Sequence, residues 1–228
     1  MPNSPLIETR RPKRQIRSFV RREGRITPAQ RKALSELWNR YGIEDSDALL
    51  DCALLFGPGK PLTVEIGFGD GQCLRQLANA NQDMAYLGIE SHRSGAGRLL
   101  MSLQEDALTN VKVLIDDAVD ILTTRIESQS VDKFLIFFPD PWPKKRHHKR
   151  RLFQDELLRE VERTLEPGGH LWLATDHGEY FEVMREVLAG SDRLDAVELE
   201  WEGVQTNYEQ KYVSKGKSIH RRILQKSR

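Results

Sequence analysis

From position 62 to 189 the chain alternates short apolar runs with stretches whose apolar residues recur every three or four positions. The short runs, 62–66, 85–90, 111–115, 131–138 and 170–174, predict five strands. Between them the helical period predicts helices over 72–80, 93–108, 119–125, 152–165 and 180–189. Leu157, Leu158, Val161 and Leu165 share one side of the fourth of these, and Pro167-Gly168-Gly169 is expected to stop it. Alternating Val197, Leu199 and Trp201, and the mixed segment 219–224, predict two later strands. Strands alternating with helices imply a mostly parallel sheet covered on both faces.

The first sixty residues read differently. Residues 1–26 carry prolines and dense arginine with almost no apolar period, the pattern of a flexible basic tail that orders on RNA. Thr27-Pro28 then has the form of an N-cap and first helical residue, with Leu34, Leu37, Trp38 and Tyr41 at helical spacing, so one helix over 28–41 is expected. Residues 46–56 hold an apolar patch without a clear period, and Gly57-Pro58-Gly59 breaks the chain before the first strand. Residues 27–228 are expected to form a single domain.

Composition narrows the class. There is no apolar run near the roughly 18 residues a membrane helix needs, and no stretch suited to a signal peptide. Cys52 and Cys73 form neither a metal spacing nor a disulfide framework, so a cytoplasmic protein with reduced thiols is expected. The formal net charge of +1 conceals a strong pattern. Residues 10–25 hold eight Lys/Arg against one acid, 144–151 hold six against none, and 211–228 hold seven against none. The rest carries 14 bases and 33 acids. Three basic segments on an acidic body suit a surface that tracks phosphates.

Two stretches carry the candidate chemistry. In Glu65-Ile66-Gly67-Phe68-Gly69-Asp70-Gly71, glycines between strand and helix allow a tight turn and close approach of a ligand. Glu90 ends the second strand, placed for a ribose diol, and Asp117 follows the third, placed to accept from an adenine amino group. A dinucleotide fingerprint would want a small residue at position 72, which is Gln72. The Gly67, Gly69, Gly71 spacing led by Glu65 suits S-adenosylmethionine better than NAD, because its cationic amino-acid part favours nearby acids. The second stretch, Phe138-Pro139-Asp140-Pro141-Trp142-Pro143, holds a carboxylate and an aromatic ring between φ-fixing prolines and runs straight into the basic segment. A fixed acceptor, a stacking face and a phosphate clamp are what an enzyme acting on a nucleobase within a nucleic acid needs. The adjacent pair His147-His148 lacks the spacing of a helical metal site, and the other histidines are scattered, so no metal is expected.

These residues together resemble the tRNA (guanine-N7)-methyltransferase family, bacterial type. The match runs from Arg17-Ser18-Phe19-Val20-Arg21-Arg22 through Glu65-Ile66-Gly67-Phe68-Gly69, Gly88-Ile89-Glu90, the Phe138 to Arg151 stretch and Ala174-Thr175-Asp176 to Thr206-Asn207-Tyr208-Glu209. The resemblance implies a three-layer Rossmann-like class I methyltransferase fold with a mostly parallel seven-stranded sheet. It implies an enzyme that uses S-adenosylmethionine to methylate N7 of guanine 46 in the variable loop of tRNA; the sequence leaves monomer and homodimer both open. By the same carry-over Glu65, Gly67, Gly69, Gly71, Glu90, Asp117 and Asp140 line the cofactor site. Lys144, Asp176, Thr206, Asn207, Tyr208 and Glu209 hold the substrate guanosine, Arg146, His147, His148, Lys149, Arg150 and Arg151 touch RNA, and Asp140 is the catalytic candidate. Two rival readings remain at this stage: a methyltransferase acting on a protein or small molecule, which leaves the basic run unused, and a non-catalytic RNA-binding module on the same scaffold.

Overall fold

Apolar runs become the central strands, and the periodic segments become the helices that cover them. A computed structural model of the protein describes residues 25–201, 207–214, 216 and 218–227. The N-terminal helices are α1 (Pro28–Glu36), α2 (Trp38–Tyr41) and α3 (Cys52–Phe56). The alternating part comprises β1 (Leu62–Ile66), α4 (Gln72–Ala80), β2 (Ala85–Ile89), α5 (Arg93–Glu105), β3 (Val111–Leu114), α6 (Ala118–Arg125) and β4 (Val131–Phe137). A 3-10 helix, Lys145–Arg150, comes next, then α7 (Asp155–Thr164), β5 (Leu165–Thr175), α8 (Gly178–Leu188), β6 (Leu194–Ala196), α9 (Asn207–Val213) and β7 (His220–Lys226). The basic segment expected to be a tail lies outside the described residues except for Arg25 and Ile26.

The sheet has seven strands in the order β3-β2-β1-β4-β5-β7-β6. The first five are parallel, and β7 runs antiparallel to both β5 and β6. Every residue of β1 and β2 is buried, as expected of strands covered on both faces. Successive side chains go to opposite sides: Leu87 belongs to the core shared with α6, α7 and α8, whereas Tyr86 belongs to the core shared with α1, α4 and α5. The result is three layers. The order reverses between β1 and β4, and the carboxyl ends of these strands open the crevice where such folds take ligands.

Local chemistry explains the ends and the departures. Thr27 and Gln30 form a reciprocal capping box, Gln30 N donating to Thr27 Oγ1 at 3.3 Å and Thr27 N to Gln30 Oε1 at 2.8 Å. The single helix expected over 28–41 is broken at Leu37 into α1 and α2. The unassigned patch contains α3, capped by Asp51, and the Arg125 guanidinium pins the chain before it by donating to the carbonyls of Glu44 and Ala48. The helix expected from position 152 begins at Asp155, because Leu152 and Phe153 are a buried lead-in. Pro167-Gly168-Gly169 does not separate helix from strand. β5 already starts at Leu165 and passes through these residues with a register shift opposite Val131 and Lys133. The strand expected at Val197, Leu199 and Trp201 lies earlier, at Leu194–Ala196. Trp201 instead turns onto Phe137 and Trp172, with ring centroids 5.3 and 4.9 Å away.

Candidate active site

The turn after β1 places Gly67, Gly69 and Gly71 at φ of 74°, 58° and 76°, a region costly for other residues. At Gly71 a Cβ would lie 2.6 Å from the Leu99 side chain, while the sites at Gly67 and Gly69 face open space. α5 approaches so closely that a Cβ on Gly95 would sit 2.1 Å from the Gly69 carbonyl oxygen. Gly69 N donates to Glu90 Oε2 at 3.0 Å, tying the glycine turn to the end of β2.

Acids from three strand ends gather around this turn. Glu90 is buried, and its Oε1 accepts from the backbone N–H groups of Ser91 at 2.7 Å and His92 at 2.9 Å. Burial pushes the Glu90 carboxyl up, but the His92 ring and the backbone N–H groups of His92 and Gly69 outweigh it and hold the carboxyl below its ordinary range. His92 Nδ1 lies 3.1 Å from Glu90 Oε1, and that bond, with the nearby charges of Glu90 and Asp140, raises the imidazole pKa against the effect of burial. Asp117, 1% exposed, caps α6 through Val119 N at 3.0 Å. Glu65 is different. It is 3% exposed, its Oε2 has no hydrogen-bond partner among the described residues, and burial with the charges of Glu90 and Asp70 pushes its pKa up to about 8.

Two clefts open here. One, of about 250 Å³, runs past Gly67, Glu90, His92, Asp117 and Leu152. The other, of about 320 Å³, is walled by Glu65, Asp70, Phe137, Pro141 and Asp176. Gly67, Gly69, Phe138 and Asp140 border both. Asp140 therefore stands at the junction. Its loop leaves β4 in a strained form: Phe138 and Trp142, each followed by proline, have φ of 51° and 43°. Such conformations cost roughly 1–3 kcal/mol each and persist only where the surroundings fix them. Phe138 N is held by the Ala174 carbonyl at 2.7 Å, next to the end of β5 where Asp176 emerges half-buried.

The basic run after the loop winds into the 3-10 helix, which at three residues per turn sends neighbours in different directions. Lys144, Lys145, Arg146 and Lys149 are exposed, and His147 and His148 are half-buried. His147 meets the Trp142 ring edge-on at 5.6 Å, and the Arg150 guanidinium lies 5.4 Å from the same ring. Arg151, expected to touch RNA, is 2% exposed, and its guanidinium is taken up inside the protein. Glu209, expected near the guanosine, is buried in an ion pair with Arg221. Asn207 and Tyr208 begin α9, and Thr206 lies outside the described residues. Residues that the sequence reading passed over, His92, Asp70 and Glu179, enter through contacts that no spacing announces. Among the described residues no group of three or more His, Cys, Asp or Glu is placed to hold a metal ion.

Known proteins resemble this chain in sequence and in fold. The chain is 48% identical over 176 residues to the tRNA (guanine-N(7)-)-methyltransferase of Nitrosococcus oceani, covering 77% of this chain and 75% of that protein. It is 40% identical over 215 residues to the protein of the same description from Halorhodospira halophila, covering 91% and 93%. The chain belongs to the tRNA (guanine-N7)-methyltransferase family. A family model described as "Putative methyltransferase" matches residues 59–222, a span that contains both clefts. The family's fold extends to distant solved structures. An rRNA methylase from Streptococcus thermophilus superposes with a TM-score of 0.52 at 15% identity, covering 78% of this chain and 92% of that one. TrmN from Thermus thermophilus superposes with 0.54 at 17%, covering 77% and 47%. The fold is the Rossmann-like α/β fold of class I methyltransferases.

Proposed function

We propose that this protein transfers the methyl group of S-adenosylmethionine to N7 of guanine 46 in the variable loop of tRNA, giving 7-methylguanosine. The observation that carries the reading is Asp140, held at the junction of two clefts by a strained loop that leads into exposed cations. Family membership supports the substrate and the atom. The donor fits the residues present. Both clefts are walled by acids, and among the described residues neither is lined by a lysine or arginine. That lining repels a pyrophosphate and suits a cationic sulfonium. The buried, unpartnered Glu65 Oε2 is an acceptor waiting for a donor such as an ammonium group.

S-adenosylmethionine, when bound, supplies an electrophilic methyl group on a positively charged sulfur. Glu90 and Asp117 line the side of the cleft suited to its nucleoside part, and the turn Gly67, Gly69 and Gly71 gives it close access to backbone. Guanine N7 carries an in-plane lone pair, so the reaction needs no base to remove a proton there. The task of the chain is positioning and charge. Methylation leaves the purine cationic, and Asp140, with Asp176 across the second cleft, stabilises positive charge as it develops on the base. Lys144, Asp176 and the segment Thr206, Asn207 and Tyr208 hold the guanosine, while Glu209 is engaged by Arg221. Arg146, His147, His148, Lys149 and Arg150 give the tRNA backbone a cationic track. Among the described residues no helix is long and apolar enough to cross a membrane, which suits work on tRNA in the cytoplasm.

The test is methyl transfer from labelled S-adenosylmethionine to unmodified tRNA transcripts with guanine or adenine at position 46, with nucleoside products identified by mass. 7-Methylguanosine from the guanine transcript alone is the expected result. Label in neither transcript, with cofactor binding demonstrated, would overturn the reading.

A further inference from the structure

The last arginine of the basic run behaves unlike its neighbours. The Arg151 side chain is 3% exposed. Its Nε donates to the Pro141 carbonyl at 2.8 Å, and Nη2 donates to Glu179 Oε1 at 3.0 Å and to His148 Nε2 at 3.1 Å. The guanidinium carbon lies 4.9 Å from the centre of the Tyr180 ring. The backbone around it is fixed as well: Arg151 N donates to the His148 carbonyl at 2.9 Å, and Phe153 N donates to Tyr180 Oη at 3.0 Å.

These partners sit on two different active-site segments. Pro141 directly follows Asp140. Glu179 and Tyr180 lie in the first turn of α8, just after Asp176 and its neighbour His177, which caps that helix. One buried cation therefore bridges the loop that presents Asp140 and the turn that presents Asp176. The loop has special need of such a tie. Pro139, Pro141 and Pro143 have no N–H, so carbonyl oxygens and side chains must anchor it. Its flanks at Phe138 and Trp142 hold left-handed conformations that persist only under outside constraint. A planar guanidinium can serve Pro141 O and Glu179 together in fixed directions, which a lysine ammonium cannot reproduce.

We propose that Arg151 is a positioning residue for methyl transfer: it sets Asp140 relative to Asp176 and makes no phosphate contact with tRNA. The inference rests on the reading of these two carboxylates as the groups that face the target base. It separates Arg151 from Arg150, its chain neighbour, in what each does.

The experiment compares the full-length wild type with Arg151→Lys, Glu179→Gln and Arg150→Gln. It measures kcat per titrated cofactor site, KM for tRNA, and tRNA affinity across a salt series. For Arg151→Lys the expected result is a fall in kcat on the order of 10²-fold, with KM and the salt slope as in wild type. For Arg150→Gln the loss falls on binding instead: weaker tRNA affinity, a raised KM and a salt slope shallower by about one unit. Glu179→Gln keeps an acceptor for the Arg151 N–H, so its kcat falls less than that of Arg151→Lys, again with KM unchanged. Should Arg151→Lys fail to fold, Glu179→Gln decides: a lower kcat at constant KM supports the inference, and a wild-type kcat overturns it. An Arg151→Lys enzyme with normal kcat, whether or not tRNA affinity falls, overturns it too. A wild type inactive on tRNA would sink the substrate reading and this inference together, whereas an active wild type with an indifferent Arg151→Lys would sink this inference alone.

Discussion

The two sides of the cleft hold charge in opposite ways. On the side of β1, β2 and β3 the acids are buried and prearranged: Glu90 accepts from Gly69, Ser91 and His92, and Asp117 caps α6. On the side of β4 and β5 the charges reach outward from an irregular backbone, with Asp140 and the cations from Lys144 to Lys149 largely in solvent. The first side is built by regular elements, strand ends and helix starts, whose own N–H groups satisfy carboxylates. The second depends on proline-restricted turns and on ties from elsewhere, such as Arg151. A small cationic ligand is best met by a rigid site that is ready before it arrives. A polyanion is met by exposed cations, whose hydration and counterions exchange easily.

Several substitutions would break or sharpen this contrast. The largest effect is expected at Asp140. Asp140→Asn should lower kcat on the order of 10² to 10³-fold, with a smaller change in cofactor affinity and none in the salt dependence of tRNA binding. Single-turnover methylation measures the first, and unchanged turnover would remove Asp140 from the mechanism. Next comes Gly95→Ala on the prearranged side. The added methyl meets the Gly69 carbonyl, so the turn must shift at a cost of about 1–3 kcal/mol. Cofactor affinity, measured by equilibrium titration, should fall while tRNA affinity is retained.

Glu65 gives a pH signature. Its folded pKa of about 8 lies above its ordinary 4.5, so the folded state binds the extra proton. The stability associated with the protonated carboxyl is complete below about pH 4.5 and is lost as pH rises through 8, by up to about 1.4 kcal/mol per pH unit within that window. Glu65→Gln should therefore flatten the decline of Tm between pH 5 and 8 in the ligand-free protein. An equally steep decline in the variant would show that Glu65 is not its source. The smallest effect is on the exposed side, where Lys149→Gln should reduce the salt slope of tRNA binding by about one unit and leave cofactor titrations unchanged.

The prearranged side was the more legible in sequence. Glycines between a strand and a helix, and acids just after two apolar runs, fall at the cleft as expected because the strand period and the βα turn fix where those residues go. Thr27 and Pro28 announced α1 for the same local reason. Legibility fell where the backbone is irregular or the partner is far along the chain. Residues Val197, Leu199 and Trp201 alternate like a strand, yet Trp201 is taken by Phe137 and Trp172 from other strands. Pro167-Gly168-Gly169 looks like a break, but β5 absorbs it where β4 shifts register. Glu209 is a substrate residue by resemblance alone, and its partner in the fold is Arg221.

The chain alone sets the alternation of strands and helices from β1 to α8, the glycine turn, the acids at the strand ends and the proline-flanked Asp140. All of these follow from local period and from the restricted φ of glycine and proline. Only the tertiary structure decided that two clefts meet at Asp140, that burial among acids lifts Glu65, and that Arg151 turns inward while Arg150 stays with the Trp142 ring. Six cations in eight positions look equivalent along a chain. They become distinct when a 3-10 helix turns neighbouring residues to different sides and a distant helix start, with Glu179 and Tyr180, meets one of them.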